Sequence, residues 1–184
     1  MPQLIAPDAR FHASFLEAMR EFAAEAFLGR TLARELAEHA RTWHDPAGFA
    51  RYVETVLADD SADTYWYVDG AAFLGRIRIR HRRLLPPDDL AGHIGYGVRP
   101  SARRQGHATG MLRGVLPHAF DLGIDPVLVT CDTVNTGSRK VIEAVGGVLE
   151  GERGGKLRFW VAGGGSKTGG GASSLAWKNR RSAP

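Results

Sequence analysis

The sequence predicts an α/β domain built on a mixed, mostly antiparallel sheet flanked by helices. Three observations carry this. Thr64-Tyr65-Trp66-Tyr67-Val68 and the segment Phe73 to Arg80 read as two strands joined at Asp69-Gly70, a strong hairpin signal, and the second strand alternates apolar and polar residues cleanly. Farther along, strand-like and helical segments take turns, as crossover helices between neighbouring strands require. The length of 184 residues suits one domain with a sizeable core.

The elements follow in order. Gln3 to Ile5 forms a short edge strand stopped by Pro7, and Asp8 is placed to cap the helix whose apolar face is Phe11, Phe15, Met19, Phe22 and Ala26. A second helix begins after Asp45-Pro46 and runs through Phe49, Val53, Val56 and Leu57 to Asp59-Asp60. The hairpin comes next, then a loop from Leu84 to Gly92 of the kind that carries specificity. His93 to Val98 is a strand containing two glycines, Gly95 and Gly97, which weaken pairing and mark a close approach or an opening. Tight packing of a helix against the sheet is the competing explanation for them. Met111, Leu112, Val115, Leu116, Ala119 and Leu122 recur at helical spacing before the stop at Gly123. A buried strand from Val127 to Cys131, a helix from about Thr136 to Val145 ended by Gly146-Gly147, and strands at Val148–Glu150 and Lys156–Val161 complete the domain, residues 1–162. Residues 163–184, rich in glycine and serine, read as a flexible basic tail.

Composition narrows the function. The formal charge of +4 arises from Lys167, Lys178, Arg180 and Arg181 in that tail, which holds no acid, so the domain itself is neutral and nucleic acid is disfavoured as a partner. A single cysteine, Cys131, excludes an intramolecular disulfide and a multi-cysteine zinc site, and the seven histidines show no metal-binding spacing, so no metal is expected. No signal-peptide pattern and no long apolar run is present, which makes a cytoplasmic protein without a membrane segment the expectation. The stripe Arg76, Arg78, Arg80 reads as a solvated sheet face, with reception of an acidic substrate as the alternative.

Between the glycine-bearing strand and the long helix lies Arg99-Pro100-Ser101-Ala102-Arg103-Arg104-Gln105-Gly106-His107-Ala108-Thr109. A basic loop that runs into a helix bares the unpartnered first amides at the positive end of the helix dipole, and Gly106 lets the backbone come close, so the segment suits a pyrophosphate. The plainer alternative is an ordinary helix entry with surface arginines.

With Arg103, Gly106 and Ala108 at their spacing, the Val98-x-Pro100 step before them, and the block Asn135, Ser138, Val141, Ile142, Val145, Gly146 after the buried strand, the sequence resembles the GNAT superfamily of acyl-CoA-dependent N-acyltransferases over roughly residues 64 to 160. The resemblance implies a GNAT-like sheet and acetyl-CoA as acyl donor. It implies that Arg103, Arg104, Gln105, Gly106, His107, Ala108 and Thr109 cradle the pyrophosphate, with the arginines adding charge. It further implies that main-chain groups of Tyr96, Gly97 and Val98 line the acyl-pantetheine arm, and that the Asn135 side chain touches it.

The implied activity is direct transfer, most simply of acetyl, to a primary amine on a small molecule or peptide. A noncatalytic acyl-CoA sensor or partner-binding domain is the alternative, and homodimerisation is compatible with either. Many family members carry a tyrosine acid seven residues after the strand-end asparagine, but Ile142 stands there. For the base, His93 suits by its ordinary pKa and Asp132 is next, while Tyr96 is a substitute proton donor. Cys131 reads as packing rather than as an acyl-carrying nucleophile.

Overall fold

The computed structural model describes residues 1–25, 37–81 and 90–164. The expected tail from 165 onward, Ala26, and the 82–89 part of the expected specificity loop lie outside the described residues. The chain forms β1 (Gln3–Ile5), α1 (His12–Ala23), α2 (Pro46–Leu57), β2 (Ala62–Asp69), β3 (Ala72–Arg80), β4 (Ile94–Val98), α3 (His107–Asp121), β5 (Val127–Asp132), α4 (Thr136–Glu143), β6 (Val148–Arg153) and β7 (Lys156–Val161).

Side chains set several boundaries. The Asp8 carboxylate accepts from the Arg10 amide and opens a short 3-10 turn that leads into α1. Asp45 accepts from the Ala47 and Gly48 amides at the start of α2, with Pro46 in the first turn. Gly123 and Gly146, both at positive φ, follow the ends of α3 and α4, as glycine at a helix C-terminus does.

The strands order as β1-β2-β3-β4-β5-β7-β6. Every neighbouring pair is antiparallel except β4 and β5. This is the mixed, mostly antiparallel sheet that the alternation of elements predicts.

Each face buries a different set of residues. On one, α3 and α4 pack Met111, Leu112, Val115 and Ile142 against Tyr65, Ile77, Ile79, Val129 and Phe159. On the other, α1 and α2 bring Phe15, Phe22, Phe49 and Tyr52 against Trp66, Val68 and Phe73. Phe15 stacks on Trp66 at 5.2 Å between ring centroids and meets Trp43 edge-on at 5.1 Å, favourable aromatic geometries. Among the described residues, a Cβ built on Gly95 meets nothing within 4 Å and one on Gly97 meets only the Phe22 ring at 3.9 Å, so no described helix packs tightly against either glycine. Gly75 on β3 is the glycine demanded by close approach, since its Cβ would lie 2.5 Å from the Gly97 carbonyl oxygen.

Candidate active site

A break in the sheet defines the site. β5 pairs along its whole length with β7, from Val127↔Val161 to Asp132↔Lys156, but its register with β4 holds only at Ile94↔Val129. Gly95 to Val98 remain paired with β3 on their other edge, and no ladder pairing joins them to β5. The two parallel strands thus diverge; the alternation of β4 pairs Gly95 and Gly97 with β3 and turns the main-chain groups of Tyr96 and Val98 toward the β5 side.

His93 sits where the strands part. Its amide donates to the Leu128 carbonyl at 2.7 Å, and its ring Nδ1 accepts from the Leu128 amide at 2.8 Å. The ring stands in for a main-chain acceptor at the last point of contact. At 2% exposure, and with Nδ1 engaged by a peptide N–H, His93 has the geometry of a structural hydrogen-bonder rather than of the base that its residue type suggested.

Beyond Val98 the chain turns through Pro100–Ala102 and reaches Arg104 at φ 63 and Gly106 at φ 83, two left-handed residues that curl the loop. A non-glycine residue in that region costs free energy and is concentrated at functional sites. α3 starts directly after Gly106, which provides no side-chain cap, so the first-turn amides keep their donors for an incoming group. Arg104 and Gln105 are exposed, and His107 sets its ring against Tyr67 at 5.8 Å. Ala108 and Thr109 lie in the first turn.

Arg103 differs from its expected role of adding charge to the seat. Its Nε donates to the Val98 carbonyl at 3.1 Å, and its two terminal nitrogens bind the Glu25 carboxylate, one at 2.8 Å.

On the other side of the opening, α4 begins at a capped turn. The Asn135 Oδ1 accepts from the Ser138 amide at 2.9 Å, so only the Nδ2 end of this side chain is left for the expected contact with a ligand. Tyr96 reaches across from β4 and shares a 2.7 Å hydrogen bond with the Ser138 hydroxyl. Burial pushes the Tyr96 hydroxyl up to about 12, against the opposing effect of the Ser138 bond, so it carries its proton at any ordinary pH.

Ile142, at the position of the family's tyrosine, is fully buried in the core. Cys131 is 5% exposed, and burial, reinforced by the Asp132 charge, pushes its thiol up, which suits packing rather than nucleophilic attack. Asp132 is exposed, with its carboxylate 2.5 Å from Lys156 Nζ. In the arginine stripe, Arg78 pairs with Asp59 at 2.6 Å and Arg80 donates from Nε to the Gly92 carbonyl at 2.7 Å. Among the described residues there is no cluster of three metal-ligating side chains, and no helix is long and apolar enough to cross a membrane.

Sequence reasoning quoted Ser138 only as part of a pattern and missed Glu25. Each meets its partner through long-range folding, Ser138 across 42 residues and Glu25 across 78.

A sheet parted between two parallel strands, beside an uncapped helix start, defines the class of acyl-CoA-dependent acyltransferases. The chain belongs to the GNAT acetyltransferases: the family described as the acetyltransferase (GNAT) domain matches residues 15–148. No curated protein matches the sequence.

Among solved structures, the ribosomal-protein-S5-alanine acetyltransferase of Vibrio fischeri superposes with a TM-score of 0.63 at 14% identity, over 88% of this chain and 92% of that one. RimJ of Mycobacterium smegmatis, in complex with CoA-disulfide, gives 0.63 at 19% identity over 88% and 81%. PaiA N-acetyltransferase of Thermoplasma acidophilum, in complex with coenzyme A, gives 0.59 at 9% identity over 88% and 99%. At these identities the likeness is one of fold.

Proposed function

We propose that this protein is a cytoplasmic N-acetyltransferase that moves the acetyl group of acetyl-CoA directly to a primary amine in a ternary complex. The loss of β4–β5 pairing after Ile94, beside the uncapped start of α3, is the observation that carries this reading. Amides from Arg104 to Thr109 hold the pyrophosphate. Main-chain groups of Tyr96 and Val98, on the edge of β4 opposite the Gly97–β3 pairing, hold the pantetheine arm and supply an N–H to the thioester oxygen as it gains charge, a contribution commonly worth several kcal/mol of barrier. Asn135 Nδ2 donates to the same arm.

As the amine nitrogen bonds to the acetyl carbon and the C–S bond breaks, the Tyr96 hydroxyl, bonded to Ser138, donates to the departing thiolate, and the proton shed by the amine passes through water and restores the hydroxyl. It thereby substitutes for the tyrosine that Ile142 replaces. We assign no proton transfer to His93, whose ring closes the sheet, or to Asp132, whose carboxylate is held by Lys156. Catalysis then rests on positioning and electrostatics, with no covalent intermediate at Cys131.

The acceptor enters over the face of β4 at Gly95, where no described residue stands within 4 Å of a built Cβ. The Vibrio fischeri neighbour is named for action on an alanine of a ribosomal protein. That name makes peptide N-terminal amines the first acceptors to assay, ahead of polyamines, aminoglycosides and lysine side chains.

The test is calorimetric titration of acetyl-CoA, with desulfo-CoA and pyrophosphate as comparisons, followed by an amine panel. Micromolar binding that depends on the phosphates, and turnover of at least one amine, is expected; absence of binding overturns the reading. Ile142 favours a second reading, an acyl-CoA sensor without catalysis, which predicts tight binding without turnover across the panel.

A further inference from the structure

Two carboxylates four residues apart, Glu21 in the last turn of α1 and Glu25 just past its end, grip two arginines four residues apart that bracket the turn before the proposed phosphate loop, Arg99 and Arg103. The Glu21 carboxylate accepts from Arg99 Nε at 3.0 Å, from the Ser101 amide at 2.8 Å and from the Ser101 hydroxyl at 2.9 Å. Arg99 is largely buried and also donates to the Phe73 carbonyl at 3.3 Å, which ties the turn to the β2–β3 hairpin.

Glu25 takes both terminal nitrogens of Arg103 while the Arg103 Nε holds the Val98 carbonyl, so each guanidinium nitrogen has a partner that fixes its orientation. A matched Arg–Glu pair is neutral as a unit and adds little field to an anion seat. What such a fork-to-fork pair does supply is a fixed geometry.

We infer that Glu25 and Arg103 are positioning residues: their pair, with Glu21–Arg99 beside it, presets the Arg104–Gly106 curl, and phosphate binding depends on the pair as a unit rather than on the Arg103 charge. This rests on the acetyl-CoA reading above and goes beyond it, since the pattern of arginine, two residues and glycine by itself points to Arg103 as a source of charge at the phosphates.

The test is titration of acetyl-CoA into the full chain and its variants Glu25→Gln, Arg103→Gln, Arg103→Lys and the Glu25→Gln/Arg103→Gln pair, with kcat at saturating acetyl-CoA and melting temperatures alongside. The expected result is a loss of affinity of about tenfold in each single variant, Arg103→Lys included because an ammonium lacks the fork. The double variant is expected to be no weaker than either single one, since coupled residues are non-additive, and kcat to be unchanged. Unchanged or tighter binding in Glu25→Gln would mean that the carboxylate competes with phosphate for Arg103, and would overturn the inference. So would near-normal binding by Arg103→Lys, or additive losses. The lysine variant keeps a cation opposite Glu25, so it decides the question even where a charge-removing variant folds poorly. Failure of the unsubstituted protein to bind acetyl-CoA would instead remove the underlying functional reading.

Discussion

The Tyr96 hydroxyl and the Ser138 hydroxyl lie 2.7 Å apart and join β4 to the first turn of α4 across the opening in the sheet. Removing the donor alone, in Tyr96→Phe, should lower kcat by about a hundredfold, the lower end of what general acid catalysis contributes. Acetyl-CoA affinity should change little. Because burial pushes this hydroxyl up to about 12, its deprotonation should not limit kcat below about pH 10. An equal loss of affinity and rate, measured by titration and steady-state kinetics, would count against the donor role.

His93→Ala leaves the buried Leu128 amide without its acceptor, at a cost of roughly 1–3 kcal/mol for an unsatisfied donor. Thermal or urea unfolding should show that loss. The rate should fall by the same factor at every pH; a loss confined to the range where a free histidine is neutral would restore His93 as the base.

Gly106→Glu should abolish acetyl-CoA binding. No described residue lies within 4 Å of a Cβ there, but a carboxylate would stand at the proposed anion seat and the residue must hold φ 83. Gly106→Ala separates the two effects: it carries the left-handed strain, about 1–2 kcal/mol, without the charge. Titration of both variants should show the larger loss for glutamate. Equal losses would mean that the seat lies elsewhere.

Acid should loosen the loop through Glu21. Burial works to raise this carboxyl, but hydrogen bonds from Arg99 and Ser101 and the Arg99 charge outweigh it and hold the group at about 2 against an ordinary 4.5. A depressed folded-state value stabilises the protein fully above the unfolded value, and the contribution disappears as pH falls from about 4.5 toward 2. Stability measured between pH 6 and 3 should therefore fall less steeply in Glu21→Gln, which starts lower at neutral pH and lacks this titration. Identical slopes would refute the linkage.

Local rules accounted for much of this fold. The hairpin was legible at Asp69-Gly70 because a turn dipeptide parts two strand-forming runs, the second of which alternates, and α3 was legible from Met111 to Leu122 because its apolar residues keep one face. The loop that we propose for the pyrophosphate stood out because Gly106 directly precedes an amphipathic run. The structure revised roles more than elements: Arg103 turned toward Glu25, the Asn135 oxygen capped a helix, and the His93 ring replaced a main-chain acceptor.

By itself the sequence determined the elements, their order and the loop that can seat an anion, because hydrophobic period, capping residues and turn glycines act within a few residues of one another. Tertiary structure alone decided where β4 leaves β5, which hydroxyl meets Tyr96 and which carboxylates hold Arg99 and Arg103. Those contacts join residues separated by tens of positions, and it is the packing of helices on both faces of a twisted sheet, not any local preference, that brings them within hydrogen-bonding distance.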